Sequence, residues 1–262
     1  MNDRDVRILD LLAAHKRIKV SILAEILNVS QSTLRNDLEN LEKRGIIRRT
    51  HGYANLDNSS DTGRRIALSH SIKRKIAKAA ALTVEDGETI MLESGSCCAI
   101  FAEELAKIRK NVTIITNSVF IANYVYRMPN IRIILLGGYF LPESQVLVGT
   151  ITQKCAEEFF LDKFFLGTDG FIPGFGFTGR DHHRVKTAAE MVKYANKAFI
   201  LTEAAKFNRR GTYSLIQLDR LTGVFTDDNI PKEAEIALIE NKVLLYKVNS
   251  ADDKIVWCHF PN

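Results

Sequence analysis

The feature that most constrains this chain is the stretch of residues 18–53, IKVSILAEILNVSQSTLRNDLENLEKRGIIRRTHGY. Leu23, Ala24 and Leu27 recur at helical spacing and form one inward stripe. Ser21 is placed to cap that short helix with its hydroxyl. Asn28 and Val29 make a tight turn, with Val29 set to plug the space between two helices. Ser30 caps the second helix, in which Leu34, Leu38 and Leu41 share one buried face. Lys43, Arg44 and then Gly45 form a basic last turn followed by a glycine stop. Upstream, Val6, Ile8, Leu9, Leu11 and Leu12 supply a further helix to complete a small core. Residues 46–53 fit a β-wing with Gly52 at its bend. The whole is a winged helix-turn-helix.

The outer face of the second helix carries Gln31, Ser32, Thr33, Arg35 and Asn36. In this motif the first turns of that helix enter the major groove, where such side chains read base edges or hold phosphates. Arg35 suits a guanine edge and Asn36 an adenine edge. Arg48 and Arg49 on the wing are natural phosphate contacts. Ser30 and His51 complete the expected DNA-facing set, and double-stranded operator DNA is the expected partner. A solvated amphipathic helix pair is the plain alternative for any one of these features. The ordered set of cap, turn valine, leucine stripe, glycine stop and basic wing favours the DNA reader.

Charge agrees. The chain carries +5 overall, but residues 43–75 hold nine Lys or Arg against two acidic residues. A concentrated positive patch beside a helix-turn-helix is the footprint of a polyanion partner. Residues 54–66 are polar and poor in apolar side chains, and they read as a linker, placed at 58–70 between a reader of 1–57 and a second domain of 71–250. No apolar run approaches the roughly 20 residues that span a bilayer, and MNDRDVR is no secretory signal. The four cysteines (97, 98, 155, 258) have no metal spacing, which predicts a reduced cytoplasmic protein with no metal and no cofactor.

Beyond Ser71 short apolar runs alternate with helical segments. Strands are predicted at 88–92, 112–116, 131–136, 163–166, 198–202, 223–226 and 243–246, with helices at 71–83, 97–109, 119–127, 151–159, 185–195 and 231–241. Continuous apolar strands between helices imply a mostly parallel sheet covered on both faces, hence an α/β domain. Such sheets bind ligands at the carboxyl ends of their strands. Small and polar residues fall at those ends: Glu93-Ser94-Gly95-Ser96, Asn117-Ser118, Gly137-Gly138 and Gly167-Thr168-Asp169-Gly170. Glycine and hydroxyl loops opening helices offer free N–H groups to an anion. Taken singly, each loop is an ordinary cap or turn; four at one edge suggest a phosphorylated ligand.

Residues 29–54, VSQSTLRNDLENLEKRGIIRRTHGYA, resemble the N-terminal domain of the DeoR family of bacterial transcription regulators. Residues 71–248 resemble its sensor domain, related in fold to ribose-5-phosphate isomerases and CoA transferases, through IMLESGSCCAIFAEEL, VTIITNS, IILLGG, FFLGTDGF and AAEMVKYANKAFILTEAAKF. The family pattern has arginine at Asn36, glycine at Tyr53, aspartate at Glu93, Thr-Thr at Cys97-Cys98 and Asp-Ser-Ser at Glu203–Ala205. The resemblance implies a repressor of carbohydrate uptake or catabolism genes, working as a dimer or tetramer and released by a phosphorylated sugar. It implies an effector shell of Ser94, Gly95, Ser96, Asn117, Ser118, Gly138, Asp169, Gly170 and Lys206, with Lys193 a further cation. The alternative is an isomerase-like or CoA-transferase-like enzyme with a DNA-binding appendage, with Asp169, Glu93 or Glu190 as base. Against it, the chain lacks the glycine-rich lysine loop of ribose-5-phosphate isomerases and any obvious acid–base pair.

Overall fold

The computed structural model describes residues 1–56, 61–250 and 255–258. The chain divides between Ser71 and Ile72 into two compact units, with Pro142–Ser144 grouped with the first.

The first unit opens with α1 (Asp3–His15). A reciprocal capping box starts it: the Asp5 amide donates to Asn2 Oδ1 and the Asn2 amide to Asp5 Oδ2. Strand β1 (Arg17–Lys19), α2 (Val20–Leu27) and α3 (Gln31–Lys43) follow. Asn28 turns the chain between the two helices in a left-handed conformation, and Val29 is half-buried behind it. Strands β2 (Ile47–Thr50) and β3 (Tyr53–Leu56) form the wing, and β1 pairs antiparallel on the free side of β3. His51 and Gly52 both have positive φ, as a two-residue type I′ hairpin requires. Ile8, Leu9, Leu12, Leu23, Leu34, Leu38 and Ile46 are fully buried and form the core. Arg4 grips Asp37 through Nε and Nη2, tying α1 to α3.

Two local expectations change here. Ser21 caps nothing: α2 starts one residue earlier, with Lys19 at its N-cap and no side-chain bond there. The β1 strand feeds directly into the helix, and the Val20 amide is satisfied by the Gly52 carbonyl of the wing turn instead. The expected linker at 58–70 contains α4 (Asp61–Ala67), which packs on α1 and β3 and fully buries Ile66 and Ala67. Two buried apolar positions among polar neighbours left too weak a periodic signal to read. Residues 58–60 of that stretch lie outside the described residues.

The second unit is built on one large sheet. In chain order come α5 (His70–Ala81), β4 (Thr89–Leu92), α6 (Ser96–Ile108), β5 (Val112–Thr116), α7 (Val119–Val125) and β6 (Ile131–Leu135). The hairpin β7 (Tyr139–Leu141) and β8 (Val146–Val148) leads to α8 (Thr150–Glu157) and β9 (Leu161–Leu166). Then come β10 (Gly170–Ile172), β11 (Gly176–Gly179), α9 (His182–Met191), β12 (Ala195–Leu201) and β13 (Tyr213–Gln217). Strand β14 (Gly223–Asp227), α10 (Lys232–Glu240), β15 (Leu244–Val248) and β16 (Ile255–Cys258) close the chain. The sheet order is β16-β15-β14-β12-β9-β4-β5-β6, parallel throughout except for β16. This is the mostly parallel α/β sheet that the apolar runs implied. A row of rings crosses it: Phe165 stacks with Phe199 at 5.2 Å, Phe199 meets Phe225 at 5.8 Å, and Phe225 stacks on Tyr246 at 4.2 Å. Phe101 of α6 rests on Phe165 at 4.4 Å, which fixes that helix to the sheet.

Several strands were not legible in the sequence. Strands β10, β11 and β13 make a separate antiparallel sheet. Glycines 170, 176 and 179 hide the first two from any propensity argument. They are there for close approach: a Cβ on Gly170 would lie 2.4 Å from the Arg209 carbonyl oxygen.

Candidate functional site

Two surfaces follow from this fold, one in each unit. In the first, α3 and the wing enclose a concave face of about 480 Å³ lined by Gln31, Arg35, Arg49, His51 and Tyr53 among others. Ser30 accepts from the Thr33 amide at 3.1 Å, and its hydroxyl also meets those of Ser32 and Thr33 at 2.8 Å. The first turn of α3 therefore presents a hydroxyl cluster beside free helix amides, suited to a phosphate. Gln31, Ser32, Arg35, Asn36, Arg48 and His51 are exposed, and Thr33 is half-buried. Arg49, expected as a phosphate contact, already has a partner within the protein. Its amide and Nε both donate to Glu42, at 2.7 and 2.8 Å, so its charge already locks the wing to α3. Two cations missed in the sequence join this face. Lys19 lines it, and Arg17 stacks over the Tyr53 ring at 4.0 Å. Their only sequence signal was basic residues flanking Ile18.

In the second unit, the parallel register brings the ends of β4, β5, β6, β9, β12 and β14 to one edge. Ser94, Gly95, Ser96, Asn117, Ser118, Asp169 and Lys206 all follow strands at that edge. Gly95 has φ +126 and starts α6 without any capping side chain. A Cβ on the facing Gly167 would lie 3.1 Å from the Ser94 carbonyl, so these two turns approach as bare backbone. Asn117 is fully buried; its Nδ2 donates to the Leu147 carbonyl at 2.9 Å while Oδ1 has no partner. Ser118 is committed to capping α7 through the Ile121 amide.

Charge at this edge falls into two groups. Glu203 lies between the Lys73 ammonium, at 3.2 Å, and the Cys97 thiol, which donates to it at 3.7 Å. Burial pushes the Cys97 thiol well up, with Glu203 adding to the rise while Lys73 and Lys206 oppose it. Burial likewise raises Cys98, so both are protonated thiols, poor as nucleophiles and metal ligands. The second group centres on Glu93. Its carboxylate accepts from Ser94 Oγ at 2.8 Å and from Arg184 Nη2 at 3.1 and 3.3 Å. Burial alone would lower the Arg184 pKa; Glu93 and Asp169 outweigh it and hold the guanidinium charged. Asp169 accepts from the Arg180 amide at 3.0 Å.

Three sequence-predicted effector residues are placed differently. Lys193 sits just before the start of β12, at the opposite, amino edge of the sheet, where it pairs with Glu190 at 2.7 Å. The helix it follows runs back across the sheet, so its two ends serve opposite edges. Gly138 packs under α8, where Thr152 fills the space a side chain would take. Gly170 serves the close approach to Arg209 described above. Conversely, Arg184 and Lys73 were not singled out as ligand-shell residues. Arg184 lies 91 residues from Glu93, and no local pattern signals that pairing. The carboxylates considered as bases are likewise occupied: Glu93 by Arg184, Glu190 by Lys193, Asp169 by a backbone amide. Among the described residues no cluster of His, Cys, Asp and Glu could hold a metal, and no helix is long and apolar enough to cross a membrane.

A winged helix-turn-helix joined to an α/β domain with a polar strand-end site defines a DNA-binding transcription regulator. Residues 4–60 match the DeoR-like helix-turn-helix domain, and residues 69–228 match the DeoR C-terminal sensor domain. The chain belongs to the DeoR family of transcription regulators. It is 32% identical to the HTH-type transcriptional regulator GolR of Listeria innocua, over 88% of this chain and 92% of that protein. It is 26% identical to the glycerol-3-phosphate regulon repressor of Escherichia coli K12, over 91% and 95% of the two chains. Among solved structures it is similar to ribose 5-phosphate isomerase A from Methanocaldococcus jannaschii, with 21% identity, a TM-score of 0.37, and 53% and 54% of the chains covered.

Proposed function

We propose that this chain is a cytoplasmic repressor of carbohydrate uptake or catabolism genes that binds its operator as a homo-oligomer and is released by a phosphorylated sugar. The observation that carries the effector is the uncapped N-terminus of α6, beside Glu203, which meets both Cys97 of its first turn and Lys73, with Lys206 following β12 at the same edge. The phosphate sits at that turn. Ser94, Gly95, Ser96, Asn117 and Asp169 line the rest of the sugar's path. On the DNA side, Ser30, Gln31, Ser32, Thr33, Arg35, Asn36, Arg48 and His51 make the contacts, with Arg49 bracing the wing.

Release is a matter of linkage. The effector shifts the equilibrium by its difference in affinity between DNA-competent and DNA-incompetent arrangements, and by no more. In a symmetric oligomer two readers address half-sites a set distance apart, so a small change in their spacing weakens binding.

The test is fluorescence anisotropy on DNA from upstream of the protein's own coding sequence, at fixed salt, titrated with sugar phosphates and their unphosphorylated parents. Release by a phosphorylated compound and not by its parent supports the reading. Tight binding that no compound disturbs leaves a constitutive DNA-binding protein and removes the effector.

A further inference from the structure

The cleft between the ends of β4 and β9 and the start of α9 is closed. It holds about 10 Å³, room for one water, and its lining includes Glu93, Thr168, Asp169, Asp181 and Arg184. The Arg184 guanidinium fills it, with Nε at 3.3 Å and Nη2 at 3.1 Å from Glu93 Oε1. A sugar fits only if one partner of this pair leaves.

Exposure decides which partner that is. The Glu93 side chain is 2% exposed and the Arg184 side chain 19%. Glu93 follows β4 directly, is held by Ser94 Oγ, and is almost wholly buried. Arg184 stands in the first turn of α9, on a long flexible stem, and can carry its charge into solvent. When Arg184 leaves, the buried carboxylate must receive new donors or suffer the penalty of an unpaired charge. Charge decides what those donors belong to. The lining carries three carboxylates, Glu93, Asp169 and Asp181, against the single cation Arg184. Such a cleft rejects a phosphate once Arg184 has gone, and it accepts hydroxyl donors.

We propose that Arg184 is a built-in stand-in for the effector's hydroxyl groups: it satisfies Glu93 in the empty site, and the hydroxyls of the bound sugar displace it. The inference rests on the effector reading above and deepens it by fixing the ligand's orientation. The phosphate lies at the α6 end with Lys73 and Lys206, and the sugar hydroxyls point to Glu93 and Asp169. Glu93 is thus a specificity-determining residue, and Arg184 is the competitor that sets how much ligand is needed.

The test is calorimetric binding to the full-length protein, using glucose 6-phosphate, fructose 1-phosphate and glucosamine 6-phosphate, with inorganic phosphate as the probe that lacks sugar hydroxyls. Removing the competitor in Arg184→Met should tighten whichever sugar phosphate the wild type binds by about tenfold, the equivalent of one charge-assisted hydrogen bond. Arg184→Lys, which keeps the charge and folds more safely, should tighten it by less. Inorganic phosphate should bind all three proteins alike, and Glu93→Gln should weaken the sugar phosphates only. A merely structural ion pair would lower the melting temperature of the Arg184 variants without tightening the ligand, and that result overturns the inference. Equal tightening of inorganic phosphate overturns it too, since the anion would then be in the cleft. If wild type and variants bind none of the sugar phosphates, both the inference and the effector reading fall. If the wild type binds one and the Arg184 variants bind it no better, only the inference does.

Discussion

Lys73 on α5 and Glu203 after β12 form an ion pair of 3.2 Å in which the lysine side chain is 3% exposed. The chain divides two residues before Lys73, and the same helix begins at His70. The first helix of the sensor domain is therefore anchored at the carboxyl edge of the sheet by a charge, and not only by its apolar face. Lys73→Met strands the Glu203 carboxylate beside a thiol that burial holds neutral. The expected loss of stability is about 2–3 kcal/mol, below the ~3–5 typical of a fully enclosed pair because Glu203 keeps some contact with water. Urea unfolding measures it, and a loss under half a kilocalorie, roughly the scatter of surface changes, would mean that the pair contributes nothing.

Arg35 is exposed on the reading face of α3. If it makes a bidentate base contact, Arg35→Ala weakens operator binding by about 1–3 kcal/mol and leaves binding to random DNA nearly unchanged. Competition anisotropy against both DNAs separates the outcomes. An equal loss on both makes Arg35 a phosphate contact.

Arg48 and Arg49 are neighbours in the wing with different commitments, since Glu42 already neutralises Arg49. Arg48→Ala should reduce the salt slope of DNA binding by about one. Arg49→Ala should change that slope less while making the wing less stable. Equal slopes for the two variants would show that Glu42 releases Arg49 on DNA.

Ser30 is the N-cap of α3. Ser30→Ala should cost about 1 kcal/mol of stability and weaken DNA binding as well, because the first turn of α3 frays. A variant that unfolds at the wild-type urea concentration would show that the cap contributes nothing.

Burial holds the Cys97 and Cys98 thiols protonated, whereas Cys155 is only half-buried. At pH 8 a thiol-specific alkylating reagent should modify Cys155 and leave Cys97 and Cys98 intact until the protein is unfolded. Peptide mapping by mass spectrometry reads this directly. Early labelling of Cys97 would mean that the α6 turn opens readily.

The reader was legible almost to the residue because its signals are local. The leucine spacing of 34, 38 and 41, the cap at Ser30 and the bend at Gly52 each act within a few positions along the chain. The strands of the parallel sheet were legible for the same reason: both faces are covered, so each reads as a short apolar run. Helix α4 and strands β10 and β11 were not, because their few burying or glycine positions gain meaning only from what packs against them.

The sequence by itself determined the two-part architecture, the exposed polar face of α3 and the edge of the sheet at which the small and polar loops gather. Hydrophobic periodicity and turn chemistry are properties of neighbours, and neighbours are what a sequence states. Only the tertiary structure decided that Arg184 meets Glu93, that Lys73 meets Glu203, that Lys193 lies at the opposite edge from the strand-end loops and that Arg49 is already paired. Those facts depend on where separate elements end in space. A charge carries no periodic trace of its partner, so its role becomes visible only when folding has brought the two together.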